Sequence, residues 1–109
     1  MNNRIKEIIQ MIQNESGDPF LLYVLALEYG KLDEKDEAGK NYRRLLIQFP
    51  EYLPAYYQAG HFFWQTGSVT EAKTTFLKGI ELAIKIHDKK TEQELKNAYQ
   101  NFLIDVDEG

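Results

Sequence analysis

The sequence predicts an all-α fold, an α-α superhelix of about six antiparallel helices. Three observations predict it. The chain matches itself when shifted by 34 residues, the period of a helix-pair repeat. Apolar residues recur at helical spacing within each segment. Proline, glycine and capping residues fall between those segments, where helices start and stop.

In the 34-residue shift, Leu22 meets Tyr56, Tyr23 meets Tyr57 and Ala26 meets Gly60. Tyr29 meets Phe63, Ala38 meets Ala72, Tyr42 meets Phe76 and Leu46 meets Ile80. Large residues meet large ones, and small meet small. Leu22, Ala26 and Tyr29 share one helical face, as do Tyr56, Gly60 and Phe63. The middle residue must be small so that the next helix can approach. Ala38 and Ala72 give that next helix its own point of close contact. Tyr42 and Phe76, one turn further, fill the space between the paired helices.

Each element follows in order. Ile5, Ile8, Ile9 and Ile12 lie at helical spacing and predict a leading helix over residues 3–14. In the repeat frame Ile8 matches Tyr42 and Ile12 matches Leu46, so this helix is half a repeat. Asn14-Glu15-Ser16-Gly17 is its loop. Asp18 caps the next helix and Pro19 takes the first turn, the favoured order. The first repeat, 19–52, gives helices near 19–31 and 35–48, and Pro50 closes it. The second, 53–86, gives helices near 54–66 and 69–87 around a Gly67-Ser68 turn. Thr91 and Glu94 form a capping box that predicts a closing helix over 91–105. Leu95, Ala98, Tyr99, Phe102 and Leu103 make its apolar face. Tyr99 falls where the repeats carry a small residue, so the groove for another helix is filled and this helix caps the array. The tail Asp105–Gly109 is expected to fray. Residues 1–109 read as one domain, in which the flanking helices supply stacking surface that two repeats alone lack.

Over residues 19–84 the pattern resembles the tetratricopeptide repeat (TPR) family, and in particular the short stand-alone TPR proteins common in bacteria. Four positions depart from that family's consensus. Leu45 and Gly79 stand where alanine is usual. Asp33 replaces a turn glycine that the second copy keeps as Gly67. Ile84 replaces a closing proline, which predicts that the second repeat's last helix runs past its normal end.

Composition excludes several functions. The net charge is -4, and the short basic groups Lys40, Arg43, Arg44 and Lys85, Lys89, Lys90 lie near acids. Nucleic-acid binding needs a basic stripe to displace counterions, so no nucleic-acid partner is expected. The chain has no cysteine, which removes disulfides and thiolate metal sites. Its start is charged and lacks the apolar core of a signal peptide, and no apolar run is long enough to span a bilayer. No membrane partner and a cytoplasmic location are expected. His61 and His87 are far apart with no nucleophile motif, and no glycine-rich loop suggests phosphate. Asp33-Glu34-Lys35-Asp36-Glu37 lacks the alternation of a calcium loop and suits a helix start. No catalytic residue, metal or cofactor is expected, and the protein is not expected to be an enzyme.

Seven Tyr, six Phe and one Trp make 13% of the chain. The resemblance implies that the first helix of each repeat lines a concave face. Its residues pointing away from the paired helix are Phe20, Tyr23, Val24, Leu27 and Lys31 in the first copy. In the second they are Tyr57, Gln58, His61, Trp64 and Gln65. Aromatic residues with a few polar groups are the composition of a protein-contact surface. Three readings remain open: contact with a protein or peptide, cover by the closing helix, or ordinary exposure. Self-association through the same face, giving a homo-oligomer, is the alternative to a foreign partner. TPR proteins that grip the acidic tails of chaperones use Lys and Asn on this face. Tyr23, Leu27 and His61 stand at those positions, which disfavours a carboxylate tail and favours an apolar or aromatic peptide or helix.

Overall fold

The computed structural model describes residues 3–15 and 17–108. Ser16 of the expected Asn14–Gly17 loop lies outside them, as do Met1, Asn2 and Gly109. Among the described residues there are six α-helices and no strand. They are α1 (Asn3–Asn14), α2 (Pro19–Lys31), α3 (Lys35–Gln48), α4 (Pro54–Gln65), α5 (Val69–Lys85) and α6 (Lys89–Glu108). The chain forms two compact units, Met1–Tyr52 and Leu53–Gly109.

In the first unit α2 packs against both α1 and α3. Ile5 and Ile8 of α1 meet Leu25 of α2 in a buried cluster flanked by Ile9, Ile12, Val24 and Tyr29. Val24 therefore faces α1 and not a free inner wall. On the paired side Leu22, Ala26, Ala38, Tyr42 and Leu45 are buried. Burial of the Tyr42 phenol, with Tyr23 beside it, pushes its pKa up to about 12. Leu45, at a position where alanine is usual, is enclosed completely.

Glu28 is a buried acid in α2 with two cations to answer it. The Arg4 Nε donates to its Oε1 at 2.9 Å and the Lys31 Nζ at 3.4 Å. The Arg4 hydrogen bond holds the carboxyl below its ordinary range. An unpaired charge there would be destabilising, so this bond also ties α1 to α2.

The helix starts follow local chemistry. Asp18 Oδ1 accepts the Phe20 N–H at 2.9 Å, and Pro19 occupies the first turn. Asp36 and Glu37 sit in the first turn of α3, where the helix dipole favours them. Asp33 (φ 58°) and Gly67 (φ 84°) take the same left-handed conformation in the turns of the two repeats. Aspartate is among the few side chains that tolerate it, which is why the first copy can dispense with glycine.

In the second unit α5 lies between α4 and α6, and α4 also touches α6. Its core holds Tyr56, Ala59 and Phe63 of α4, Ala72, Phe76 and Ala83 of α5, and Leu95, Ala98 and Phe102 of α6. The small residues mark close approaches. A Cβ on Gly60 would stand 2.6 Å from the Phe76 ring. One on Gly79 would stand 2.6 Å from the Tyr56 Cβ and 3.1 Å from Leu95 Cδ1. With Ile84 in place of proline, α5 continues past Leu82, the match to the end of α3, as far as Lys85.

α6 differs from expectation at both ends. It begins at Lys89, because Asp88 and not Thr91 is the capping residue. The Thr91 N–H donates to Asp88 Oδ1 at 3.0 Å and the Thr91 hydroxyl to Oδ2 at 2.9 Å. These bonds hold the Asp88 carboxyl below its ordinary range. The residues 105–108, expected to fray, continue the helix, with Asp105 anchored to Trp64.

Candidate functional site

Each unit presents its own set of expected contact residues. On α2, Phe20, Tyr23, Leu27 and Lys31 follow one another at helical spacing along the stripe left over when one side packs on α1 and the other on α3. Phe20 is 53% exposed and Lys31 is exposed, whereas Tyr23 and Leu27 are half-buried. The Tyr23 ring stands edge-on to Tyr52, with centroids 5.7 Å apart. Burial raises the pKa of both phenols.

On α4, Tyr57 is 38% exposed and Gln65 is exposed, while Gln58, His61 and Trp64 are half-buried. His61 stands between Tyr57 and Trp64, with ring centroids 4.5 and 5.5 Å away. Neither His61 nor Trp64 points away from the paired helix as expected. His61 reaches Phe76 of α5 edge-on at 5.6 Å and Trp64 reaches it at 6.5 Å. Trp64 also meets Phe102 of α6 at 5.6 Å, and its indole Nε1 donates to Asp105 Oδ2 at 2.6 Å. Phe76 is the hub, touching Tyr99 and Phe102 as well. α6 therefore covers part of Trp64 and leaves Tyr57 and Gln65 open. Asp105 was not among the expected contact residues. No local pattern could have found it, because its partner lies 41 residues away.

His61 Nε2 is buried with no hydrogen-bond partner, and burial lowers its pKa. The folded state thus favours neutral imidazole. Below about pH 6.5, the ordinary histidine value, the unfolded chain takes the proton first. Stability conferred by neutral His61 is fully present above that pH. It falls as the pH drops from there through the lower folded value. Urea titrations of wild type and His61→Gln at pH 7.5 and 5 should show the wild type losing more on acidification. Parallel losses would refute the assignment.

Among the described residues, no His, Asp and Glu side chains group so as to hold a metal ion. No helix among them is long and apolar enough to cross a membrane.

These features define a class of protein: helix pairs packed through small residues, with aromatic side chains left on the first helix of each pair. The sequence profile of the tetratricopeptide repeat matches residues 53–83. A TPR domain protein from Salinibacter ruber, solved by NMR, is 30% identical, with 79% of this chain and 87% of that one covered and a TM-score of 0.74. A crystal structure of a TPR domain protein from Salinibacter ruber is also 30% identical, with 78% and 96% covered and a TM-score of 0.73. A protein from Bordetella parapertussis, 19% identical over 96% of this chain and 91% of its own, has the same fold with a TM-score of 0.77. No curated protein matches the chain. The chain belongs to the tetratricopeptide-repeat family. That family is in general a non-catalytic scaffold type that mediates protein–protein interaction.

Proposed function

We propose that the chain is an interaction module that binds an apolar or aromatic peptide or helix through the first helix of each pair, with Phe20, Tyr23, Leu27 and Lys31 as the contact residues of α2 and Tyr57, Gln58, His61, Trp64 and Gln65 as those of α4. It works as an adaptor in the cytoplasm, carries out no chemistry of its own and needs no cofactor. One observation supports this most: Phe20 and Tyr57, on the first helix of each pair, keep large aromatic surfaces in water. Burying such a side chain is worth about 1.5–3 kcal/mol. The fold forgoes part of that gain at both positions, and a partner would recover it. Half-buried Tyr23 adds a polar tip on α2, where Lys31 is the one cation among the contact residues.

Tyr57→Ala and Phe20→Ala test the reading, since neither side chain makes a hydrogen bond that the fold needs. In affinity capture from the native extract, each should reduce partner recovery about tenfold, the effect of losing about 1.4 kcal/mol at an interface. The helical circular-dichroism signal should be unchanged. Undiminished capture by both variants would sink the proposal. Recovery of the chain's own copies and nothing else would make the face a homo-oligomer interface.

A further inference from the structure

The first unit contains a hollow of about 470 Å³, a volume in the range of ligand sites. It opens where the start of α2 meets the chain leaving α3. Pro19, Gln48, Phe49, Pro50, Glu51 and Tyr52 line it. Tyr23 backs the Tyr52 ring, edge-on to it at an interplanar angle of 67°.

Three properties of the hollow restrict what it can hold. Its walls are rigid: two prolines and aromatic rings lose little freedom on contact. It offers a phenolic donor in the Tyr52 hydroxyl, with the Tyr23 phenol beside it. Its charge has one sign. Glu51 is an exposed residue of the lining, and the Asp18 carboxylate is near enough for its field to act on the Tyr52 phenol. No Lys or Arg lines the hollow.

We propose that this hollow binds an extended, proline-rich segment that carries a basic side chain. A polyproline II strand has no internal hydrogen bonds, so its carbonyls are free to accept from the Tyr52 hydroxyl. Its rings stack on aromatic walls, and its preformed shape limits the entropy lost on binding. An α-helix would satisfy its own carbonyls and leave the Tyr52 phenol unanswered. A lysine or arginine beside the prolines meets Glu51 and Asp18 and lies over the Tyr52 ring, where cation and ring attract. The proposal rests on the reading that the chain holds a polypeptide, and it names the ligand class for the first unit.

The test is calorimetric titration of the full chain with a synthetic run of eight prolines ending in arginine. The same peptide ending in glutamate and a glycine-serine peptide of equal length are the comparators. The arginine peptide should bind, the glutamate peptide more weakly, and the glycine-serine peptide not at all. Tyr52→Phe removes one neutral hydrogen bond and should weaken binding about threefold to tenfold. Glu51→Gln should narrow the preference for arginine over glutamate. Both keep the side-chain shape and so the fold, whereas Tyr52→Ala requires a check of helicity beside its expected loss of binding. Failure of the arginine peptide to bind would overturn the proposal, as would equal binding of all three peptides or binding indifferent to both conservative variants. Tyr57→Ala separates this proposal from the broader one. If the peptide fails but Tyr57→Ala still abolishes partner capture, the hollow is refuted and the broader face stands. If the peptide binds and capture ignores both Tyr57→Ala and Phe20→Ala, the hollow stands and the broader face is refuted.

Discussion

Phe76→Ala is expected to lower the stability of the chain by about 3–5 kcal/mol, the usual loss for an aromatic deleted from a packed core. The ring is fully buried and is the meeting point of three helices. His61 and Trp64 of α4 pack on it, as do Tyr99 and Phe102 of α6. Gly60 lies against it, and its missing Cβ makes the room that the ring fills. The cavity left by alanine would be lined by rigid rings that collapse poorly, which places the loss toward the upper end of that range. Domains of this size hold only about 5–15 kcal/mol in total, so the variant should be close to unfolded at 37 °C. Urea denaturation followed by circular dichroism gives the number. The single tryptophan supplies a second readout, because Trp64 loses a packing partner and its emission should shift to the red. A loss below about 1 kcal/mol would mean that Phe76 is not the hub the geometry makes it.

The same substitution at two glycines should have opposite signs. Gly79→Ala is expected to destabilise by about 2 kcal/mol. The added methyl would stand 2.6 Å from the Tyr56 Cβ. A Cβ is fixed to its backbone, so no change of rotamer relieves the overlap and the helices themselves must part. Such overpacking costs about 1–3 kcal/mol or more, against which alanine's better helix propensity returns about 1. Gly30, near the end of α2, has nothing within 4 Å of its added Cβ. Gly30→Ala should therefore stabilise by about 0.5 kcal/mol through the backbone entropy of the unfolded chain. Thermal or urea unfolding of the two variants side by side decides the matter. If Gly79→Ala does not destabilise, the close approach of α4 and α5 at Gly79 is not what the glycine provides.

Gly79 also shows how far the chain could be read without its structure. Its departure from alanine is visible in the 34-residue frame, but the Tyr56 and Leu95 atoms that demand it are not. The helices, the turn at Gly67 and the cap at Asp18 were legible because each depends on neighbours within a few residues. The start of α6 was misplaced by two residues. Asp88 and Thr91 are both good capping residues, and only the hydrogen bonds between them show which one accepts.

The contact face was legible in part. Helical spacing put Phe20, Tyr23, Leu27 and Lys31 on one stripe because a stripe is a property of a single helix. Where a half-buried ring turns is decided by the helices around it. His61 and Trp64 lie on the expected side of α4 by spacing, yet their rings lean onto Phe76 and Phe102. Tyr52 was unassigned, since it lies outside every helix and gains its meaning from Tyr23, 29 positions earlier.

The sequence by itself determined the repeat period, the helical faces and the small residues at close contacts, because these follow from backbone periodicity and side-chain size. Only the tertiary structure decided which aromatics remain in contact with water. That outcome depends on the approach of segments distant in the chain, as when Asp105 accepts the hydrogen bond of the Trp64 indole N–H while Tyr57 stays open.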